Sequence, residues 1–290
     1  MNTALFRIRL DVPAEAVDLA LAAALATGAQ GVEVKDAETG GPPPGRVYVI
    51  VWHAAETDDP RHREEMMAAL RHRVGDGAEI SWAAEGDAWQ TRLAEDLPPT
   101  PLGTQFVALS PGSPVPMDRL PLWLVSGGGF GSGMHPTTAL CVDLLESRVD
   151  ADTEVLDVGC GSGVLALVAL LLGARKAIGV DIDSVALVAA ARNAEHNGVG
   201  QKAHWQAEMP TEGAQLVLAN LYPGPLTQLA PQLSARVQPG GTLIISGFRE
   251  GQRDALASLY ADHGLHVVDA ESRAGWHGLV LSSPAEVATP

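Results

Sequence analysis

The residues with the clearest chemical potential form a glycine loop, VLDVGCGSGVLA, at 155–166. An apolar run leads into alternating glycines at Gly159, Gly161 and Gly163, and a second apolar run follows. A strand, glycine loop and helix in this order let the backbone approach a nucleotide-like cofactor closely, because glycine carries no Cβ. The loop alone leaves two cofactors open: a dinucleotide for hydride transfer, or S-adenosylmethionine for methyl transfer.

The charges around the glycines help to choose between these cofactors. The dinucleotide pattern G-x-G-x-x-G/A is matched weakly by Gly161, Gly163 and Ala166. Asp157 precedes the glycines, and its charge would be unfavourable beside a pyrophosphate but favourable beside the ammonium and sulfonium of S-adenosylmethionine. Asp181, at the end of the next predicted strand, would accept hydrogen bonds from both ribose hydroxyls. The loop therefore favours S-adenosylmethionine.

The composition of the chain limits which partners and which cellular location we expect. The chain has 290 residues, 46% of them hydrophobic, which suits two domains with sizeable cores. The longest nearly apolar run, at 164–174, is too short to cross a bilayer, so we expect no membrane partner. With two cysteines and no secretory pattern, we expect a cytoplasmic protein. The net charge of −16 argues against direct nucleic-acid binding and suits either a basic partner or solubility alone.

Residues 1–84 predict a small α+β domain. Turn-rich breaks separate segments with strand alternation from segments with helical composition, and the resulting order βαββαβ is the ferredoxin-like pattern. This fold is shared by many functions, so it indicates no chemistry by itself. The predicted strands are 4–11, 31–36, 46–52 and 78–82, and the predicted helices are 13–28 and 60–74.

The rest of the chain predicts a linker and a second domain. Residues 85–121 are rich in proline and read as a semi-rigid linker, with a short helix at 87–97 and the strand TQFVAL. Strands and helices alternate over 122–290, as in a doubly wound α/β sheet. The predicted strands are TEVLDVG, KAIGVDI, AHWQ, QLVLAN, GTLIISG, LHVVDAES and WHGLVLS, and the predicted helices are 135–148, 163–172, 184–197, 224–236 and 250–262.

Three further stretches carry a family resemblance. Residues 155–199 resemble the cofactor-binding half of a class I methyltransferase. GGFGSGMHPTTAL, at 128–140, resembles the F-G-T-G-x-H-x-T-T signature of the ribosomal-protein methyltransferase A family, which methylates large-subunit ribosomal protein eleven. VLANLYPGPLTQLAP, at 217–231, resembles that family's A-N-I/L-x-A-G-P-L stretch, and Gly275–Leu279 its late E/G-W-x-x-L strand.

The sequence departs from that family pattern in a few places, and none of them removes an expected cofactor contact. The change in the linker puts a hinge there in doubt. The departures are Ser132 and Met134 in place of the usual residues, SGGG at 126–129 in place of a proline-glycine approach, Pro223 in place of alanine, and Leu93 in place of a second tryptophan after Trp89.

The resemblance implies an S-adenosylmethionine-dependent N-methyltransferase. Its substrates would be amino groups of ribosomal protein eleven, namely lysine side chains and the N-terminal amine, held by the domain at 1–84. We expect the enzyme to be a monomer. The resemblance implies that Asn220 contacts both the cofactor and the reacting amine. The other cofactor-binding residues it implies are Thr138, Gly159, Gly161, Gly163 and Asp181.

Each of these residues also has a purely structural interpretation. Hydroxyls of Thr137 and Thr138 could cap the helix that begins there. His135 could be a base or a hydrogen-bonding loop residue, and the histidines as a set show no metal-ligand spacing. Asn220 could simply form a turn. Tyr222 could line the site or belong to the core.

Rival functions remain at this point. Methyltransferases of nucleic-acid bases or of glutamine carry N/D-P-P-Y/F after the same strand, whereas Leu221 and Tyr222 follow Asn220 here. A non-catalytic cofactor-binding adaptor would be expected to lose part of the glycine loop or Asn220, and all are present. Another protein substrate and the dehydrogenase are further alternatives.

Replacing Asp181 tests the cofactor assignment. Hydrogen bonds to a charged acceptor contribute roughly 1.5–3 kcal/mol each, so Asp181→Ala should weaken S-adenosylmethionine binding at least about tenfold in calorimetry. Equal affinity in variant and parent would defeat the assignment, and tight NADH binding by the parent would revive the dehydrogenase.

Overall fold

The computed structural model describes residues 5–27, 31–35, 41–54, 60–75, 77–85, 99–125 and 135–285. The chain divides into two compact units, Met1–Glu95 and Asp96–Pro290. The predicted helix at 87–97 lies outside the described residues, since 86–98 are not described. Residues 126–134, with the first part of the family signature, also lie outside them.

The first unit contains one antiparallel sheet and two helices. Their order along the chain is the predicted βαββαβ, and the strand order in the sheet is β2-β3-β1-β4. Neighbouring strands are antiparallel throughout. The elements are β1 (Leu5–Pro13), α1 (Val17–Leu25), β2 (Gly31–Lys35), β3 (Arg46–Ala54), α2 (Pro60–Val74) and β4 (Glu79–Glu85).

Alternation along β1 and β3 creates the core of this unit. Ile8 pairs with Val51 and Leu10 with Val49, and all four side chains are fully buried. Because successive side chains of a strand point to opposite faces, this alternation presents one apolar face of the sheet. Buried alanines of α1 and Leu70 of α2 complete the core.

The second unit is a seven-stranded sheet in the order β10-β9-β8-β11-β12-β14-β13. The first five of these strands are parallel to one another, and β14 runs antiparallel to both of its neighbours, β12 and β13. The prediction of a doubly wound α/β sheet is therefore confirmed. The strands are β8 (Glu154–Val158), β9 (Lys176–Val180), β10 (Ala203–Gln206), β11 (Ala214–Asn220), β12 (Val237–Arg249), β13 (His266–Arg273) and β14 (Trp276–Ser282).

Helices cover both faces of this sheet. The predicted single helix at 224–236 is two short helices, because Pro231 has no N–H and its ring clashes with the preceding turn of a continuous helix. Among the described residues, no helix combines the length and the apolar character needed to cross a membrane. The helices are α3 (Pro136–Leu145), α4 (Val164–Leu172), α5 (Ser184–His196), α6 (Pro223–Gln228), α7 (Ala230–Ser234) and α8 (Glu250–Asp262).

The central strands are buried on both faces. Leu216 and Leu218 of β11 belong to one hydrophobic cluster, together with residues of α3 and α4. Val217 and Ala219 belong to a second cluster, together with residues of α6, α7 and α8. A parallel sheet between two helical layers requires such continuous apolar strands, which explains why QLVLAN and EVLDV show no alternation.

The predicted linker at 85–121 does not hold for residues 99–121. These residues form a small sheet, β5 (Thr100–Leu102), β6 (Phe106–Leu109) and β7 (Leu120–Trp123), in that order within the second unit. Leu102, Phe106 and Leu122 are fully buried and join the cluster that contains α3 and α4. The prolines of β5 and β7 are tolerated because both are edge strands, where a missing N–H costs no ladder bond.

Candidate active site

The strand order places the glycine loop and Asn220 at one edge of the sheet. β8 and β11 are neighbours, and the chain continues from β8 outward to β9 and β10 but from β11 in the opposite direction to β12. In open α/β sheets, ligands bind at the carboxyl ends of the strands where the order reverses in this way. The glycine loop follows β8, and Asn220 is the last residue of β11.

Leu221 connects these two segments by close packing. A Cβ on Gly159, whose φ is +72°, would collide with the Leu221 side chain. On the other side, a Cβ on Gly247, whose φ is +102°, would collide with the Leu221 carbonyl oxygen. At Gly247 the obstacle is backbone, so glycine is needed for space as well as for conformation. At Gly159 the obstacle is the end of a side chain, and the positive φ is what favours glycine. Gly161 (φ +53°) and Gly163 (φ +83°) continue the loop into α4.

Asp181 is bonded directly to the glycine loop. One carboxylate oxygen accepts the Gly161 N–H at 2.8 Å, and the other accepts the Asp183 N–H at 2.9 Å. The side chain is half-buried. Each carboxylate oxygen has more than one acceptor position, so the group can hold the loop and still accept ribose hydroxyls.

Asp157 is oriented differently from the expectation for it. The predicted cofactor-facing carboxylate is only 1% exposed, and it accepts the Ala166 N–H at 3.2 Å in the first turn of α4. The pKa of Asp157 is raised to about 7. Burial is the largest cause and the charge of Asp181 adds to it, while the hydrogen bond from Ala166 acts in the opposite direction. The Asp157 carboxyl therefore bonds to the amino-terminal end of α4, whose partial positive charge favours a carboxylate.

The two cysteines are unreactive in this environment. Cys141 and Cys160 are both free and buried. Burial raises the pKa of each thiol well above its ordinary value, so the nucleophilic thiolate is not formed near neutral pH. Cys160 therefore fills space within the loop, in line with the interpretation from the sequence.

Asn220 borders a small cavity at the end of β11. Within the described residues its side chain makes no hydrogen bond, while the backbone ladder continues past it from Leu221 N–H to Ser246 O at 3.0 Å. A turn-forming asparagine would instead bond to nearby backbone with its own side chain. The cavity has a volume of about 20 Å³ and is lined by His135, Thr137, Asn220, Leu221, Tyr222, Gly247 and Trp276.

A histidine, not a threonine hydroxyl, caps α3. The Thr137 N–H donates to His135 Nδ1 at 3.3 Å, and the Thr137 hydroxyl lies 2.7 Å from the same nitrogen. The Thr138 N–H donates to the His135 carbonyl at 3.0 Å. The Thr138 side chain is buried, and Thr137 rather than Thr138 lines the cavity. Cofactor contact by Thr138 stays a prediction.

The structure adds Gly247 and Trp276, to which sequence reasoning assigned no role in the site. The Trp276 ring contacts the His135 ring edge-on, at a centroid distance of 4.9 Å, and the Arg249 guanidinium lies over it, 3.8 Å from its centroid. Its indole nitrogen is buried without an acceptor among the described residues. The glycine at the end of the predicted strand GTLIISG is a signal that could have pointed to Gly247. No sequence spacing indicates that position 276 contacts position 135.

Comparison with known proteins identifies the family. The sequence model of "Ribosomal protein L11 methyltransferase (PrmA)" matches residues 4–284. The chain belongs to this family. A ribosomal protein L11 methyltransferase of Pseudomonas putida (strain W619) is 35% identical over 272 residues, covering 88% of this chain and 91% of that protein. One from Pseudomonas aeruginosa (strain LESB58) is 35% identical over 290 residues, covering 93% and 95%.

A solved structure of a PrmA-family relative agrees with the fold. The ribosomal protein L11 methylase of Lactobacillus delbrueckii subsp. bulgaricus is similar to this chain with a TM-score of 0.58 and 28% identity. The similarity covers 63% of this chain and 97% of the solved one. Membership of the PrmA family and the class I methyltransferase fold establish S-adenosylmethionine as the cofactor, so the dinucleotide alternative is discarded.

The buried carboxyl of Asp157 predicts a pH-dependent stability difference. Its pKa is about 7 in the folded chain, against roughly 3.9 when unfolded, so the folded state binds the extra proton between these values. Folded-state stability contributed by this group therefore falls as pH rises from about 4 to about 7. Asn cannot ionise, so the melting temperature of Asp157→Asn relative to the parent should rise over that range. A pH-independent difference would contradict the raised pKa.

Proposed function

We propose that this PrmA-family protein transfers methyl groups from S-adenosylmethionine to amino groups of ribosomal protein L11, namely lysine side chains and the N-terminal amine. The observation that carries the proposal is the Asn220 amide, which has no hydrogen-bond partner among the described residues and stands beside the glycine loop at the sheet edge. The relatives from Pseudomonas, which are ribosomal protein L11 methyltransferases, support L11 as the protein substrate.

Asp181 and the glycine loop are the proposed cofactor holders. The Asp181 carboxylate already orders the loop through Gly161, and its remaining acceptor positions suit the ribose hydroxyls. Gly159, Gly161 and Gly163 let the backbone approach the ligand, and Thr138 at the start of α3 is a further proposed contact. When bound, the cofactor would supply an electrophilic methyl group: the nucleophile would attack the methyl carbon in line with its bond to sulfur, and the neutral thioether would leave.

Asn220 is proposed to orient the substrate amine. Its amide oxygen accepts hydrogen bonds from the amine, which aims the nitrogen lone pair at the methyl carbon. Only a neutral amine has this lone pair, and partial burial of a lysine lowers its pKa because desolvation disfavours the charged form. His135 is already committed through Nδ1 to the cap of α3, so the proposal assigns it no role as a base.

The first unit is proposed to hold the substrate protein. The cofactor-binding segments all belong to the second unit, while the first has a sheet and a core of its own. The net charge of −16 suits a basic ribosomal protein and disfavours direct binding to nucleic acid. A cytoplasmic location and a monomeric state complete the proposal.

The direct test is incubation with isotopically labelled S-adenosylmethionine and unmodified proteins of the large ribosomal subunit. We expect label on L11, and mass mapping of its peptides should find it on lysine side chains and the N-terminal amine. Label on RNA, on glutamine or on a different protein would contradict the proposal.

Asn220→Ala separates the catalytic role from a turn-forming role. The variant should melt near the parent temperature, because the side chain has no described partner to lose. It should methylate about 10²–10³-fold more slowly at saturating cofactor, by analogy with other positioning hydrogen bonds. Single-turnover rates and thermal melts measure the two effects.

Ser246→Ala is the matched control for Asn220→Ala. Ser246 occupies the same register on β12, but its hydroxyl donates to the His277 carbonyl at 2.8 Å and is satisfied within the protein. This variant should lose stability and keep its rate per folded molecule. A large stability loss with an unchanged rate in Asn220→Ala would defeat the assigned role.

Removal of the first unit tests substrate recognition. A chain beginning at Asp96 keeps the seven-stranded sheet, the glycine loop and Asn220, so it should bind S-adenosylmethionine in calorimetry like the full chain. It should lose methylation of L11, measured at equal cofactor saturation. Full activity of the shortened chain on L11 would place recognition in the second unit.

A further inference from the structure

Asn193 of α5 joins two segments that the sequence separates widely. Its side chain is fully buried, and both ends of the amide are used. The oxygen accepts the Val125 N–H at 2.8 Å, and the nitrogen donates to the Ser162 carbonyl at 3.0 Å. One buried side chain therefore connects the chain just after β7 to the middle of the glycine loop.

A second asparagine, Asn197 at the end of α5, bonds to the same side of the chain at β7. Asn197 accepts the Trp123 N–H at 2.9 Å and donates to the Trp123 carbonyl at 2.7 Å. Four helical residues rise about 6 Å, and two strand residues advance about 6.6 Å, so Asn193 and Asn197 match alternate residues of the strand. The other edge of the segment pairs with β6, as from Leu124 N–H to Leu109 O at 2.8 Å.

Only one of these two asparagines reaches the glycine loop. Asp181 holds the loop at the Gly161 N–H, and Asn193 holds it at the Ser162 carbonyl, so both ends of this dipeptide are fixed by side chains from outside the loop. Glycine-rich backbone has many accessible conformations. Without one of these bonds, more of the loop would have to be ordered when the ligand binds, which weakens binding.

We propose that Asn193 is a positioning residue for the cofactor. It holds the glycine loop in its binding conformation and couples that loop to the segment that follows β7. The inference rests on the proposed role of the glycine loop in cofactor binding. Val125, the strand-side partner, stands three positions before Gly128, where the family signature begins in the sequence.

Calorimetric titration with S-adenosylhomocysteine tests this role without requiring turnover. Asn193→Ala should raise the Kd about tenfold, the scale of one lost hydrogen bond that orders a binding loop. Asn197→Ala is the matched control, because it removes two bonds to Trp123 and one to the Asn193 backbone carbonyl but none to the loop. Its Kd should stay within about twofold of the parent, even where its melting temperature falls.

Asn193→Asp separates the two ends of the amide. A carboxylate can still accept the Val125 N–H but has no proton to donate to the Ser162 carbonyl, so affinity should fall as in Asn193→Ala. In the unaltered protein, residue-resolved hydrogen exchange provides a test that needs no variant. Adding S-adenosylhomocysteine should slow exchange at Val125 N–H more than at Trp123 N–H.

The role of Asn193 would be overturned if both Asn193 variants kept the Kd of the parent, or if Asn197→Ala lost as much affinity as Asn193→Ala. It would also be overturned if S-adenosylhomocysteine slowed hydrogen exchange equally at the Trp123 and Val125 N–H groups. Failure of the unaltered protein to bind S-adenosylhomocysteine would instead contradict the cofactor site itself, and with it both proposals.

Discussion

Close packing around Leu221 is the constraint on which the rest of the site depends. This residue follows β11, and it fits between Gly159 after β8 and Gly247 within β12. A Cβ at Gly247 would meet the Leu221 backbone, whereas a Cβ at Gly159 would meet only the end of the Leu221 side chain. The packing fixes the distance between the glycine loop and Asn220, because Asn220 is joined to Leu221 by one peptide bond. Geometry at this edge is therefore set by steric contact as well as by hydrogen bonds.

Backbone N–H groups stabilise the two acidic side chains at the carboxyl ends of these strands, Asp157 and Asp181, in different ways. Asp157 is buried against the first turn of α4, where the helix dipole and the Ala166 N–H stabilise a carboxylate. Asp181 is more accessible and uses backbone N–H groups of the loop and of Asp183. Neither has a cationic side chain as a hydrogen-bond partner among the described residues.

The second unit also explains why a proline-rich stretch is part of the fold. Its prolines lie in β5, in β7 and in the turns, where no ladder bond requires their N–H. Phe106 and Leu122 bury their side chains against the helices, so 99–125 is ordered by the same core as the sheet. Composition suggested a linker because proline marks irregular backbone, whereas burial of the residues between the prolines depends on distant helices.

Local patterns in the sequence were enough to determine the elements of the first unit, the strands of the seven-stranded sheet, the glycine loop and the residues that follow the strands, but not β5, β7 or the division between α6 and α7. Strand and helix periodicity, glycine turns and the family signatures are encoded within short windows, so they can be read without the fold. Contacts between distant positions cannot be read in this way. The approach of Trp276 to His135 and the bridge made by Asn193 each join residues far apart in the chain. Only tertiary packing decided these, because a side chain's partners depend on which elements are brought beside it.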